Sequence, residues 1–370
     1  MNNPRILFIS RAYPPVVGGI ENQNYELGKW LGEIAEVKII ANKRGRKFLP
    51  IFAPYVIIKT LFLLPKHDAV LFGDGVLAFL GWVIKLVSKK PVISVLHGLD
   101  INYNSASLNV WYEKFLVSIY QNLWTKHFLP KLDKYIAVGN ETIRVGVSHG
   151  LDEKKFVFIP NGVDTEKFLV DAKRSDIEKI IEAPVENKKI ILTSGRLAKR
   201  KGAAWFINNV LPKLSEEFIY VVAGDGPDRK NVGDAVKNTA LEKRVFILGR
   251  IPDADRNILF NTADLFVQPN IKIPGDMEGF GLSVIEACAC RLPVLASAIE
   301  GLKDAIKEGQ NGFLVESGNA DAYVQKINEL FTEGNPREIY GERVRQFVVD
   351  NYSWKHIAQK YLDEIKKTIR

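Results

Sequence analysis

Cysteine is nearly absent. Cys288 and Cys290 are the only two in 370 residues. They stand two apart in a helix-like run, where side chains so spaced point to different faces, so they are not expected to pair. That excludes a disulfide-stapled fold and suggests a reduced, cytoplasmic setting. A Cys-x-Cys metal site would need a further His or Cys, and none lies nearby in sequence, which leaves the two as small core residues. Histidine is scarce as well, with five in all. No basic region, apolar core and cleavage site precede the first strand-like run, so no signal peptide is expected. Long hydrophobic runs are missing apart from residues 48–64, in which Lys59 is the only charge. That run is slightly short for a bilayer span and is interrupted by Pro50 and Pro54, so it predicts a buried or interfacial helix rather than a transmembrane one. There is no short-period repeat and no low-complexity tract. With 46% apolar and 25% charged residues, neither disorder nor a coiled coil is expected. The length predicts two domains.

The charge is one-sided. Residues 1–160 carry 20 Lys/Arg against 12 Asp/Glu, a net of +8, whereas the remaining residues carry 31 of each. A basic half suits a surface facing phosphates, in nucleic acid or in anionic lipid. No nucleic-acid docking motif accompanies it, so nucleic acid is not expected as a partner. Residues 103–134 interleave Trp111, Tyr112, Phe115, Tyr120, Trp124 and Phe128 with Lys114, Lys126, His127 and Lys131. Aromatic bodies with basic tips suit a membrane interface or a lipid-linked acceptor, and ordinary helix packing accounts for the aromatics equally well.

Apolar strand-like runs at 6–10, 37–41, 69–72, 92–97, 135–138 and 157–159 alternate with helical stretches such as 20–34 and 76–88. The pattern repeats at 189–194, 218–223, 245–248, 265–268, 294–296 and 312–315. Such alternation predicts parallel α/β sheets, here two doubly wound Rossmann-like domains. The turn-rich Pro160-Asn-Gly-Val-Asp164 is the expected join.

The most informative segment is Glu278-Gly-Phe-Gly-Leu-Ser-Val-Ile-Glu286. Gly279 and Gly281 leave the backbone bare where a helix begins, so the amides at Gly281, Leu282 and Ser283 form an anion site. One acid precedes them and one follows, a layout for holding a nucleotide diphosphate by its sugar and its ribose. Gly195-Arg-Leu-Ala-Lys-Arg-Lys-Gly202 follows a strand, where open α/β sheets bind ligands. Arg196 can fork onto phosphate oxygens and Lys201 can supply a point charge. Gly18 and Gly19 open the first helix and permit close approach to a phosphate, without the full spacing of a dinucleotide fingerprint. His97 ends a buried strand, with Asp100 placed to orient it or to contact an acceptor. Asp253-Ala-Asp255 has the look of a metal-binding D-x-D, but helix capping is the better reading.

Together these motifs resemble the retaining glycosyltransferases of family 4 (glycosyl transferases group 1), which have the two-domain GT-B fold. The matching residues are Gly18-Gly19, His97-Gly-Leu-Asp100, Ile159-Pro-Asn-Gly-Val-Asp-Thr-Glu-Lys-Phe168, residues 195–202, Ala223-Gly-Asp-Gly-Pro227, residues 278–293 and Asn311-Gly-Phe-Leu314. They follow the family's order over nearly the whole chain. The run from Tyr352-Ser-Trp-Lys355 onward resembles its closing helix.

The resemblance implies an acceptor-side domain at 1–165, with the closing helix 352–370 crossing back onto it. It also implies a donor domain at 166–351 facing the first across a cleft. Glu278 and His97 would contact the donor sugar, and Glu286 would hold the ribose. Arg196 and Lys201, with the amides at Gly19 and at Leu282–Ser283, would neutralise the leaving diphosphate. No cofactor and no metal are then required. The chain departs from the family at Arg291, where Gly is usual, and at Glu300, where Gly-Gly is usual. The longer loop Lys272-Ile-Pro-Gly-Asp-Met277 is similar to that of some members using GDP-mannose.

The expectation is a hexosyltransferase in lipid-linked glycan or polysaccharide synthesis, cytoplasmic and peripheral on the inner face of the plasma membrane. A transferase to a small soluble acceptor and a catalytically silent sugar-nucleotide-binding subunit are the alternatives.

Overall fold

The computed structural model describes residues 3–16, 18–98, 101 and 122–369. Asp100, Trp111, Tyr112, Lys114, Phe115 and Tyr120 of the sequence reading lie outside them. The chain divides into two compact units, Met1–Gly162 with Trp354–Arg370, and Val163–Ser353. The crossings therefore fall at 162/163 and 353/354, against the expected 165/166 and 351/352. Backbone pairing accounts for these positions. Val163 and Ser353 form a parallel bridge, and the Val163 amide donates to the Tyr352 carbonyl at 2.8 Å. One residue outward, Gly162 lies so close to Trp354 that a Cβ there would stand 2.5 Å from the indole.

The first unit contains strands β1 (Arg5–Ser10), β2 (Glu36–Ala41), β3 (Ala69–Phe72), β4 (Val92–Leu96), β5 (Lys134–Ala137) and β6 (Phe156–Phe158). The second contains β7 (Lys189–Ser194), β8 (Phe218–Ala223), β9 (Val245–Gly249), β10 (Leu265–Gln268), β11 (Val294–Ser297) and β12 (Phe313–Val315). Each set forms one sheet, ordered β2-β1-β3-β4-β5-β6 and β12-β11-β10-β7-β8-β9. The strand pairs are parallel throughout. Strands in such a sheet are covered on both faces, which is why they read as unbroken apolar runs. In β7, Ile190 and Leu192 join the core containing Ile285 and Cys288. Ile191, pointing the other way, joins Phe206 and Tyr323.

This order puts the functional chemistry in a definite place. The strand sequence reverses direction between β7 and β10 in the second sheet, and between β1 and β3 in the first. At such a switch point the connections leave in opposite directions and open a crevice at the strands' carboxyl ends.

The closing helix Trp354–Ile369 belongs to the first unit. Its Trp354, Ile357, Ala358, Tyr361, Leu362 and Ile365 recur at helical spacing and share a core with Ile6, Phe8, Leu27 and Leu31. The two cysteines are free and fully buried, as the sequence implied. Burial raises both thiols, Cys290 to about 12. Because Ile357 is fully buried, Ile357→Ala is expected to destabilise the first unit by about 2–5 kcal/mol. Urea denaturation followed by tryptophan fluorescence would measure this, and an unchanged midpoint would contradict docking of the closing helix.

Candidate active site

In the second unit, β7 runs into Gly195 and then a short turn, Lys199–Lys201, before the helix Ala203–Asn209. Two glycines are required here. Gly202 has φ 69°, and a Cβ on it would lie 1.9 Å from the Pro269 carbonyl oxygen just after β10. Gly224, after β8, has φ 149°, and its Cβ would lie 1.8 Å from the Gly195 oxygen. Both positions are closed to other residues by conformation and by space. Bare backbone at Gly195, Gly202 and Gly224 lets the basic loop settle on the switch point. There Arg196 is exposed and engages in no ion pair or hydrogen bond among the described residues.

Lys201 turns inward. Its Nζ lies 2.5 Å from Oε2 of Glu278, and Arg200 Nη2 stands 3.8 Å from the same oxygen. Asn270 Nδ2 donates to it at 3.2 Å. Asn270 is itself held by Gln268, whose Nε2 donates to Asn270 Oδ1 at 2.7 Å. Ser283, in the first turn of the next helix, donates from Oγ to Gln268 Oε1 at 3.3 Å. A continuous relay thus links that helix to the Glu278 carboxylate. Arg200 also reaches Asp276 Oδ1 and the Met277 carbonyl, both at 3.2 Å, which fastens the loop before Glu278.

Glu278 is 7% exposed. Burial pushes its carboxyl pKa up, but Lys201 and Arg200, with the hydrogen bonds from Lys201 and Asn270, outweigh burial and hold it below the ordinary value. The group is an anion at neutral pH, buried and held by two cations and an amide.

Its backbone is gripped from both sides. The Glu278 amide donates to Glu300 Oε2 at 2.6 Å, and the Gly301 amide donates to the Glu278 carbonyl at 3.1 Å. Glu300 has φ 49° and Arg291 has φ 61°. These are the two positions where the resemblance would place glycine, and both adopt the left-handed conformation that favours it. At Glu300 the side chain supplies an acceptor to the Glu278 amide.

The helix Leu282–Ala289 starts after Gly281 at φ 93°. The amides of its first turn, Leu282 and Ser283 among them, have no carbonyl four residues back within the helix and carry the positive end of its dipole. Glu286 lies farther along, half-buried and without a hydrogen bond among the described residues. Burial raises its pKa, partly offset by Arg256 and Lys167. The Asp253-Ala-Asp255 string does not cap its helix, because Pro252 occupies the N-cap position and no side chain caps the helix. Both acids occupy the first turn, where they complement the dipole, and Asp253 pairs with Arg256 at 3.3 Å.

In the first unit, Gly18 precedes the helix Gly19–Ile34, which has no side-chain cap. His97 follows β4, and its Nε2 lies 3.0 Å from the Gly73 carbonyl oxygen at the end of β3. Arg11 pairs with the buried Asp74 at 2.9 Å beside this point. Both groups sit at the β1/β3 switch point.

The structure thus brings together Lys201 and Glu278. It places Gly281, Leu282 and Ser283 at the next helix start and joins Ser283 to the pair through the amide relay. Sequence reasoning missed Arg200, Gln268, Asn270 and the role of Glu300. Arg200 was available as a neighbour within the same basic run, whereas the amides gave no local signal.

A family model described as Glycosyltransferase Family 4 matches residues 17–167, and one described as Glycosyl transferases group 1 matches residues 175–347. An uncharacterized glycosyltransferase of Methanocaldococcus jannaschii is 24% identical over 98% of each chain. A GDP-mannose-dependent alpha-(1-6)-phosphatidylinositol monomannoside mannosyltransferase of Mycolicibacterium smegmatis is 23% identical over 95% of each. Among solved structures, Anabaena HepE in complex with UDP superposes with a TM-score of 0.73 at 19% identity, covering 98% of this chain and all of that one. The fold is that of the GT-B glycosyltransferases.

The depressed pKa of Glu278 fixes the sign of a pH effect. A carboxyl whose folded pKa lies below its unfolded value adds stability above the unfolded value and loses it as pH falls through the folded one. Lys201→Met removes the nearest cation and raises that folded pKa. The variant is expected to be about 3 kcal/mol less stable at neutral pH, with its deficit shrinking on acidification. Melting temperatures across the acid range would check this, and a pH-independent deficit would contradict it.

Proposed function

This chain belongs to the family 4 and group 1 glycosyltransferases, and on that premise we propose that it moves a hexose from a nucleotide-diphosphate sugar to an acceptor hydroxyl, with retention of configuration and without a metal. The observation that carries the reading is the Lys201–Glu278 pair, 2.5 Å apart, beside the β7/β10 switch point.

In the proposed step the bond from sugar C1 to the diphosphate oxygen breaks. The acceptor oxygen bonds to C1 on the same face, and its proton passes to the departing phosphate. Negative charge grows on the diphosphate and positive character on the sugar. Lys201 has three N–H donors, so it can hold Glu278 with one and face the leaving group with the others. Arg196 forks onto the phosphate from the exposed loop, and the first-turn amides from Leu282 onward add donors. Fixed donors of this kind stabilise charge as it develops, the role a metal serves in other transferases. Glu278 anchors the sugar and supports its positive character, and Glu286 accepts from the ribose hydroxyls. The two acids are not the paired carboxylates of a glycosidase.

The acceptor we favour is a lipid-linked glycan or polysaccharide precursor, supported by the basic first half of the chain and by the phosphatidylinositol-mannoside relative. A slight preference for mannose rests on the loop before Glu278 and on that relative's GDP-mannose.

A ligand that binds only the folded state raises the melting temperature. In EDTA, one of UDP, GDP and ADP is expected to do so for the wild type. Arg196→Ala is expected to weaken that nucleotide about tenfold, roughly 1.4 kcal/mol, with unchanged stability in its absence. If no nucleotide shifts the wild type, the donor site is not as proposed.

A further inference from the structure

The helix Leu49–Leu63 is apolar on a side that no described residue covers. Its inward residues Phe52, Val56 and Thr60 are buried. Its outward residues Ile51, Tyr55, Ile58 and Phe62 are 62, 48, 58 and 78% exposed. Their spacing aligns them in a single stripe along the helix. Beside it, Leu86 and Val87 are 65 and 64% exposed at the end of the helix Ala78–Val87. Lys90, just beyond them, donates to the Leu64 and Pro65 carbonyls, so the two helix ends lie together. Six large exposed apolar side chains in one region exceed the scattered exposure of an ordinary soluble surface.

By length and composition the segment Leu49–Lys66 could cross a membrane, but its structure says otherwise. One face is committed to the unit's core, and Pro54 sits inside the helix, breaking a backbone bond that hydrocarbon could not replace. Such a helix lies along a surface. Behind it, a cavity of about 200 Å³ is walled by Leu49, Phe52, Val56, Leu80 and Trp124, so the element has hydrocarbon character on both sides.

Charge identifies the surface. No Asp or Glu occurs from residue 37 to 67, nor from 75 to 99, the two segments that form and flank the patch. Exposed Lys43, Arg44 and Lys47 precede the helix, Lys66 follows it, and Lys89 follows the second helix. Lys59 lies over the Tyr55 ring at 5.0 Å, with its stem along the stripe. An apolar stripe carried by two segments whose only charges are cationic matches the acyl boundary and headgroups of an anionic bilayer.

We propose that the outward face of the helix Leu49–Leu63, with Leu86 and Val87, is a membrane-contact face that seats the first unit on anionic lipid. The stripe inserts among the acyl chains and the lysines pair with headgroup phosphates. This face is separate from the Lys201–Glu278 centre and does not depend on the donor chemistry.

The test is flotation of the full chain with vesicles of phosphatidylcholine alone or mixed with phosphatidylglycerol. The wild type is expected to float with the mixed vesicles and to be weakened, not released, by high salt. Ile58→Asp combined with Phe62→Asp is expected to weaken flotation about tenfold or more. The melting temperature and the nucleotide-induced shift are expected to be unchanged, because both side chains already face outward. A wild type that stays with the unbound fraction, or a variant that floats like wild type, overturns the proposal. So does a wild-type dimer that the variant turns into a monomer, since a second copy would then be the occupant. Loss of the nucleotide shift with flotation intact would count against the transferase reading alone.

Discussion

A buried carboxylate kept ionised is the constraint on which the second unit turns. Glu278 gives up water almost completely, and an isolated carboxylate in that position would take up a proton instead. Lys201 and Arg200 prevent this, and their arrival depends on features far apart in sequence. The basic loop reaches Glu278 only because Gly202 lets β10's exit press against it. The carboxylate itself is aimed by Glu300 and Gly301 holding its backbone and by the Gln268–Asn270 relay. Loss of one partner would leave a charge without compensation, so the cluster is costly to break.

The same arrangement suits transfer chemistry. An enzyme that stabilises separating charges needs its dipoles fixed before the reaction begins. Parallel sheets provide such rigidity at their carboxyl ends, and the strand order decides which ends become neighbours. In this chain β7 brings cations and β10 brings the amides and the acid. Glu300 holds a backbone conformation that suits glycine, and its carboxylate accepts from the Glu278 amide.

Much of this was legible from residues alone. All twelve strands appear where strand-like runs predicted them, and in central strands such as β3, β8 and β10 burial on both faces leaves a continuous apolar signal. Glu278, Glu286, Lys201 and the glycines stood out through their charge and bareness at expected strand and helix ends. What could not be read was the pairing. Lys201 meets Glu278 across 77 positions of sequence, and Arg200 meets the same acid, contacts set by strand order and not by local pattern. Gln268 and Asn270 are neutral amides at the end of β10 and just beyond it, and only their partners give them a role. The apolar run before Lys66 illustrates the opposite case. Its composition signalled a buried or interfacial helix, and only the structure separated its covered face from its bare one.

The most direct test of the central claim is a proton NMR time course of the wild type in EDTA, with the nucleotide sugar it binds and a lipid-linked glycan acceptor. The account predicts release of nucleoside diphosphate together with a new glycosidic signal of the donor's anomeric configuration, and loss of both in Glu278→Gln. Inverted product, turnover that needs added metal, or full activity in Glu278→Gln would contradict it.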